Sequence, residues 1–321
     1  MSRIAVCSRS FSRHPVLRAE LEARHAEVTF NEAGLSMRGT ELIDFLKGHE
    51  KIITSLERLD EALFAALPEL KVVSKYGVGF DMVDLNAMAR RGIKLGWTGG
   101  LNRRSVAELV IAFAIAALRH VAVCDREVRA GEWRRHVGRQ LSGKTVGIIG
   151  CGHIGKEVTV LLKAFGCKVL ANDIRDYAAF YRTHDVEPVD LETLLATADI
   201  VTLHVPLDET TRNILSAGRL GLMKPDAVLI NTARGGLVDE AALKALLADG
   251  RMAGAAFDVF ATEPPDDGEL LALPNFLATP HIGGNAEEAV LAMGRAAIEG
   301  LETARLPTAD WPAPAPPAPV S

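Results

Sequence analysis

Cysteine is scarce in this chain. Four residues of 321, at positions 7, 124, 151 and 167, form no CxxC pair and fit no metal-ligand spacing. That excludes a disulfide-stapled framework and a zinc module, and leaves reduced thiols in a large core. Long hydrophobic runs are missing as well. The most apolar stretch, 109–118, is ten residues long, whereas a membrane-spanning helix needs roughly 20. The opening MSRIAVCSRS passes straight into a strand-like segment without the apolar core of a leader. No basic block occurs, and a net charge of −5 gives no reason to expect nucleic acid or an anionic membrane as a partner. A cytoplasmic protein without a metal centre is expected.

What is present is enough apolar residue, 48% of the chain, to build two domains with real cores. Over residues 1–97, short apolar runs (IAVC, EVTF, KIITS, KVVSKYG, IKLGW) alternate with helical patterns such as LRAELEARH. That rhythm predicts βα units around a parallel sheet. It breaks near Gly99 and Gly100, where a long helix begins at about Arg104. This helix is apolar nearly all round, so it must be buried, either in a core between domains or between subunits. A second series follows: TVGIIG, KVLAND, DIVTLHV, AVLINTARG, GAAFDV and FLATPH. Two doubly wound domains with a cleft between them are expected. A last helical pattern covers 285–304, and the proline-rich LPTADWPAPAPPAPVS cannot continue a helix or a central strand.

Gly150-Cys151-Gly152-His153-Ile154-Gly155 fits G-x-G-x-x-G, directly after the strand 146–149 and at the start of a helix ending near Phe165. The first glycine permits a tight turn, the second lets a pyrophosphate approach the backbone, and the third packs helix against strand. The phosphates then face the helix N-terminus, where free N–H groups and the dipole favour anions. Asp173 ends the next strand. An acid there holds the adenosine ribose hydroxyls and repels a 2′-phosphate, which favours NAD over NADP; Arg175 nearby argues the other way. An isolated loop of this type can also be a simple turn or hold FAD or a methyl donor, and Asp173 alone can be a cap. Cys151 and His153 occupy variable positions and line the loop.

Three short segments downstream, NTARG (231–235), EPP (263–265) and PHIGG (280–284), contribute Arg234, Glu263 and His281. These are the groups needed to reduce a 2-keto acid. A guanidinium grips a carboxylate with a planar fork, and a histidine passes a proton near neutral pH. A neighbouring carboxylate orients that histidine and favours its charged form. Arg234 follows a strand and precedes Gly235 and Gly236, at the sheet edge where ligands of open α/β sheets bind. Taken singly, Arg234 reads equally as a surface ion pair and His281 as a satisfied buried histidine.

With the fingerprint, NTARG, EPP and PHIGG in this order, the chain resembles the D-2-hydroxyacid dehydrogenase family. The resemblance runs from KYGVGFDMVD (75–84) through NRRSVAELV (102–110) and LHVPLDETTRN (203–213) to PHIGG. It implies an α/β fold in which a Rossmann NAD-binding domain (101–284) is inserted into a flavodoxin-like parallel-sheet substrate domain (1–100). A return helix (285–306) then rejoins the substrate domain, and the proline-rich tail (307–321) follows. The implied mechanism has Arg234 bind the substrate carboxylate and polarise the keto oxygen, with His281 as acid/base and Glu263 as its hydrogen-bond partner. For the cofactor it implies Gly150, Gly152, His153, Ile154, Gly155, Asp173, His204, Val205, Pro206, Thr211, Thr232, Ala233 and His281. Asp258 in FDVF would hold the nicotinamide carboxamide, or simply cap a strand end. Val78 and Gly79 would offer backbone N–H groups to the substrate carboxylate, where glycine suits close approach. Asn102 reads as a helix cap rather than a substrate contact. A homodimer acting on a small 2-keto or 2-hydroxy acid is implied.

The substrate side chain is not fixed by these motifs. Some phosphoglycerate dehydrogenases place an arginine pair before the second βα unit, where this chain has Thr54, Ser55 and Leu56, with only Arg58 nearby. Many also carry a regulatory domain, which nothing after Leu306 resembles. Lys75 beside the substrate loop would suit a second anionic group if it points inward; Arg103 and Arg104 read as a solvated face. Phosphite dehydrogenases carry lysine where this chain has Val78. An NAD-sensing corepressor of the same fold is the alternative of a different class, and a generic Rossmann methyltransferase leaves the trio without a purpose.

Overall fold

A computed structural model of the chain describes residues 2–307. The tail expected over 307–321 therefore lies, from residue 308 on, outside the described residues. The described residues form two compact units, one of residues 2–102 with 287–307 and the other of residues 103–286.

The first unit is built on a parallel sheet of β1 (Ile4–Val6), β2 (Val28–Phe30), β3 (Lys51–Thr54), β4 (Val72–Lys75) and β5 (Lys94–Gly96). Their order is β2-β1-β3-β4-β5, the flavodoxin-like arrangement in which loops at the carboxyl ends of the strands form the ligand edge. Strands β1, β3 and β4 are buried nearly throughout, which is why they read as continuous apolar runs rather than alternating ones. Caps set the helix starts here. Asp60 and Asp84 accept from Leu63 N–H and Ala87 N–H at 3.1 and 2.8 Å. The helix Glu287–Thr303 packs on the same sheet: Ser74 Oγ donates to the Ala297 carbonyl at 2.6 Å. Gly96 and Gly300 make that approach possible, since a methyl on Gly96 would lie 2.3 Å from the Gly300 carbonyl oxygen.

The second unit contains β6 (Thr145–Ile149), β7 (Lys168–Asn172), β8 (Val186–Pro188), β9 (Ile200–Leu203), β10 (Val228–Asn231), β11 (Gly254–Phe257) and β12 (Phe276–Ala278). All pair in parallel, in the order β12-β11-β10-β9-β6-β7-β8. Read from β8, this is the Rossmann 3-2-1-4-5-6 order with one further strand, and it reverses direction between β6 and β9. The sequence pattern did not show β8. It is three residues long and carries Pro188, which a sheet tolerates only at an edge.

The helix Arg103–Leu118 buries Val106, Ala107, Val110, Ile111, Phe113, Ala114 and Leu118 in the core of the second unit, with Val146, Ile148 and Val158. It leaves Glu108, Ala112 and Ile115 exposed. The apolar run thus presents one wide stripe to the core of the second unit, and Ala112 and Ile115 stay outside that stripe. Arg103 and Arg104 are not simply solvated. Both pair with Glu157, at 3.3 and 2.8 Å. Among the described residues, no single helix is long and apolar enough to cross a membrane, no group of acidic, histidine and cysteine side chains could hold a metal, and the four cysteines are free thiols.

Candidate active site

The glycine loop after β6 is shaped by contacts a side chain would block. Gly150 has φ +94°, and a methyl on it would fall 2.8 Å from the His204 backbone. A methyl on Gly155 would lie 2.2 Å from the Gly150 carbonyl oxygen, whereas one on Gly152 meets nothing within 4 Å. The loop is therefore closed on its protein side and open above Gly152, where the helix His153–Ala164 begins. An anion can reach the unpaired N–H groups of that first turn. Asp173 follows β7 and holds the loop in turn. Its carboxylate accepts from Cys151 N–H at 2.6 Å and from Arg175 N–H at 2.8 Å. Burial pushes the Cys151 thiol up to about 12, so it is no nucleophile near neutral pH.

Around this loop, several polar atoms are out of water and without a partner among the described residues: both ring nitrogens of His153, Nδ1 of His204 and Oγ1 of Thr232. They follow β6, β9 and β10, at the carboxyl edge next to the switch point. An orphaned buried polar group costs about 1–3 kcal/mol, and three such residues on one edge fit a polar ligand. Burial, then the positive charges of Arg103 and Lys156, hold His153 below its ordinary range. Burial alone takes His204 down to about 3, so its ring is neutral, with Nε2 3.0 Å from Thr202 Oγ1. Val205 packs against Gly150, within 2.8 Å of where a methyl there would sit. Thr211 is already engaged, its hydroxyl donating to the Pro206 carbonyl at 2.7 Å.

The second cluster stands on β10, β11 and β12. Asn231 ends β10 and ties the following turn, its Nδ2 donating to the Arg234 carbonyl at 2.8 Å and its Oδ1 accepting from Ala233 N–H at 3.1 Å. Arg234 Nη1 donates to the Ala233 carbonyl at 2.7 Å. Gly235 then passes so close to Phe260 that a methyl would lie 1.8 Å from its carbonyl oxygen. Phe260 N–H in turn donates to Glu263 Oε1 at 3.1 Å, and Glu263 Oε2 lies 2.9 Å from His281 Nδ1. Packing thus links the turn carrying Arg234 to the segment that orients His281.

His281 sits in the left-handed region at φ +55°, a conformation that a non-glycine residue keeps only when its surroundings hold it. Asp258 supplies that hold. The carboxylate of this buried residue accepts from Thr279 Oγ1, Ile282 N–H and Gly283 N–H at 2.5, 2.8 and 2.7 Å. Its carbonyl accepts from His281 N–H at 2.9 Å. The strand-end role weighed for Asp258 is the one whose bonds the structure displays. A histidine with Nδ1 on a carboxylate, which only accepts, carries its hydrogen on Nδ1 and leaves Nε2 for chemistry.

In the first unit, the loop after β4 carries the remaining candidates. Gly77 has φ +122°, and the Val78 carbonyl accepts from Trp97 Nε1 at 2.9 Å. Among the described residues the N–H groups of Val78 and Gly79 have no partner, so both are available to an anion. Lys75 is buried at 4% exposure, and its ammonium donates to the Ser55 and Tyr76 carbonyls. Arg58 is exposed and pairs with Asp60 at 3.5 Å. Asn102 immediately precedes the helix Arg103–Leu118, yet its Oδ1 has no hydrogen-bond partner among the described residues. The capping role expected for it is absent, because its oxygen does not reach the free N–H groups of the first turn.

Residues 111–283, just over half of the chain, match the family model of the D-isomer specific 2-hydroxyacid dehydrogenase NAD binding domain. The chain is 39% identical over 276 residues to a D-3-phosphoglycerate dehydrogenase of Archaeoglobus fulgidus, covering 84% of this chain and 52% of that one. It therefore spans about half the length of that relative. It is 38% identical over 255 residues to a hydroxypyruvate reductase of Thermotoga maritima, covering 78% of this chain and 82% of the relative. Among solved structures, a D-isomer specific 2-hydroxyacid dehydrogenase from Polaromonas superposes with TM-score 0.87 at 28% identity, covering 94% and 96% of the two chains.

Proposed function

The chain belongs to the D-isomer specific 2-hydroxyacid dehydrogenase family, and from that membership we propose that it interconverts a small D-2-hydroxy acid and its 2-keto acid with NAD as cofactor. The observation that carries the reading is the 2.9 Å contact between His281 Nδ1 and Glu263 Oε2, with Glu263 itself fixed by Phe260 N–H.

NAD fits the residues present. Gly150, Gly152 and Gly155 leave room for a pyrophosphate, and the N-terminal turn at His153 and Ile154 offers donors. Asp173 meets the ribose hydroxyls, while Val205, Pro206 and Ala233 supply contact surface. The unpartnered atoms of His153, His204 and Thr232 gain partners there, and Thr211 stands nearby. Bound there in its reduced form, the cofactor would supply the hydride for the keto carbon. Arg234 binds the substrate carboxylate with its planar fork and draws electron density from the keto oxygen. The N–H groups of Val78 and Gly79 are donors of the kind a substrate carboxylate takes. His281 gives the Nε2 proton to the keto oxygen and takes one back in the reverse direction. Glu263 holds the tautomer and balances the charge that forms on the ring. Asp258 keeps the 279–283 loop in place and thereby sets where His281 stands.

The reading extends to glyoxylate, hydroxypyruvate or a related 2-keto acid as substrate, and to a homodimer in the cytoplasm. The helix Val121–Arg129 buries none of its residues, and Val128, Trp133 and Val137 are exposed around it at 53%, 80% and 94%. Exposed apolar side chains on one segment support such an interface. The test is NADH oxidation against a panel of 2-keto acids. Turnover of one or more supports the reading. Retained NADH binding with no turnover favours the corepressor-like alternative.

A further inference from the structure

The first unit holds a second cationic feature that the reading above does not use. A pocket of about 310 Å³ opens at the carboxyl edge of its sheet, lined by Ser8, Arg9, Ser10, Arg13, Ser55 and Leu56. It stands over the ends of β1 and β3, on the same edge as the loop after β4. Arg9 and Arg13 are four residues apart on one short helix, so their side chains share a face. Like charges in that relation repel each other, and neither guanidinium has a hydrogen bond or ion pair among the described residues. Two other arginines of this unit are paired: Arg18 lies on Glu32 at 2.8 Å and Arg58 on Asp60 at 3.5 Å.

The pocket is joined to the substrate loop by protein contacts. Lys75, at the end of β4, donates to the carbonyl of Ser55, which lines the pocket, and to that of Tyr76. Tyr76 in turn meets Phe11, between Arg9 and Arg13, edge to face at 5.4 Å. The nearby carboxylate, Glu57, is turned into its own loop, its Oε2 accepting from Thr54 Oγ1 and Ser55 N–H at 2.9 and 2.7 Å. Ser10 is exposed at the same opening, its hydroxyl 3.3 Å from that of the buried Ser8, which caps the helix by accepting from Phe11 N–H, and a hydroxyl of this kind suits an oxygen of a carboxylate or phosphate.

We infer that this pocket binds a second anionic group of the substrate, a distal carboxylate or phosphate on the 2-keto acid, with Arg9 and Arg13 as the specificity-determining cations. The inference rests on the dehydrogenase reading. It moves the cations from the loop 54–58, where Thr54, Ser55 and Leu56 stand, to the neighbouring loop and helix after β1. Lys75 does not reach the anion itself. It is buried and spends its donors on backbone carbonyls, so it fixes the pocket wall.

The test compares kcat/KM of the full-length enzyme for 2-oxoglutarate, for 3-phosphonooxypyruvate and for 2-oxovalerate, whose side chain is uncharged. At least one anionic acid is expected to exceed 2-oxovalerate by about 10-fold or more, the scale of one hydrogen bond to a charged group. Which of the two does so tells carboxylate from phosphate. The Arg9→Gln/Arg13→Gln variant is expected to lower that ratio by about 10-fold, and raised salt should lower it as well, because the cations are exposed. An anionic acid no better than 2-oxovalerate, or a ratio unchanged in the double variant, overturns the inference. Should no 2-keto acid be turned over, the dehydrogenase reading fails, and the pocket is read separately by calorimetric titration with inorganic phosphate and with glutarate. Weaker binding of either in the double variant supports an anion site, and equal binding overturns it.

Discussion

Gly235 and Phe260 approach so closely that a methyl group on the glycine would lie 1.8 Å from the phenylalanine carbonyl oxygen. Through this contact the turn that carries Arg234 rests against the segment that positions Glu263, and Glu263 reaches His281. Arg234 and His281, proposed for a carboxylate and for a proton, are held in one packed frame. Effective catalysis by such groups depends on their mutual placement more than on their individual strengths.

Gly235→Ala tests that frame. The backbone at 235 or 260 must shift, at a cost of about 1–3 kcal/mol of overpacking strain. Urea unfolding should show a lower midpoint, and kcat should fall by more than the loss of folded protein explains. A variant with wild-type midpoint and kcat would mean that the two segments are not coupled.

Asp173 is expected to read the cofactor. Asp173→Asn keeps an oxygen for Cys151 N–H, 2.6 Å away, but removes the charge that repels a 2′-phosphate. The ratio of kcat/KM for NADH over NADPH should fall by about an order of magnitude, the scale of a lost charge-assisted hydrogen bond. A ratio unchanged in this variant would assign the ribose to another residue.

His204 should leave a pH signature on stability. Burial holds its pKa at about 3, against an ordinary 6.5. The unfolded chain therefore takes up a proton that the folded ring refuses. The stability linked to this group is complete above pH 6.5 and is lost as pH falls from there towards 3. Between pH 6.5 and 5 the loss reaches at most about 2 kcal/mol, at 1.36 kcal/mol per pH unit. His204→Asn, followed by chemical denaturation across that range, should flatten the slope. A variant whose slope matched the parent would place the ring's titration elsewhere.

Much of the fold was legible because parallel strands buried on both faces appear as short apolar runs, as in 145–149 or 200–203, and because G-x-G-x-x-G falls between one such strand and a helix. Element β8 escaped notice because three residues ending in Pro188 carry no periodicity. The helix from Arg103 was seen as buried, but its partner was not, since the burying surface comes from β6 and the helix after it, beyond the reach of local pattern. Arg234, Glu263 and His281 stood out by residue type and order. Their supports did not. Asp258 fixes the 279–283 loop through bonds to residues more than twenty positions away, and Gly235 matters only for what it faces. Arg9 and Arg13 belong to no motif, and part of their pocket, Ser55 and Leu56, is supplied by a different βα unit. Asn102 shows the opposite failure: the right residue type stood at the right place for a cap, and its side chain makes no such bond.

The most direct measurement of the central claim is single-turnover NADH oxidation by His281→Asn with the best 2-keto acid of the panel, alongside NADH binding by fluorescence. The account predicts a rate lower by about 10²–10⁴-fold, the usual contribution of a positioned acid/base, with the dissociation constant for NADH close to that of the parent. A parent-like rate with NADH still bound would contradict it and remove His281 from the proton transfer.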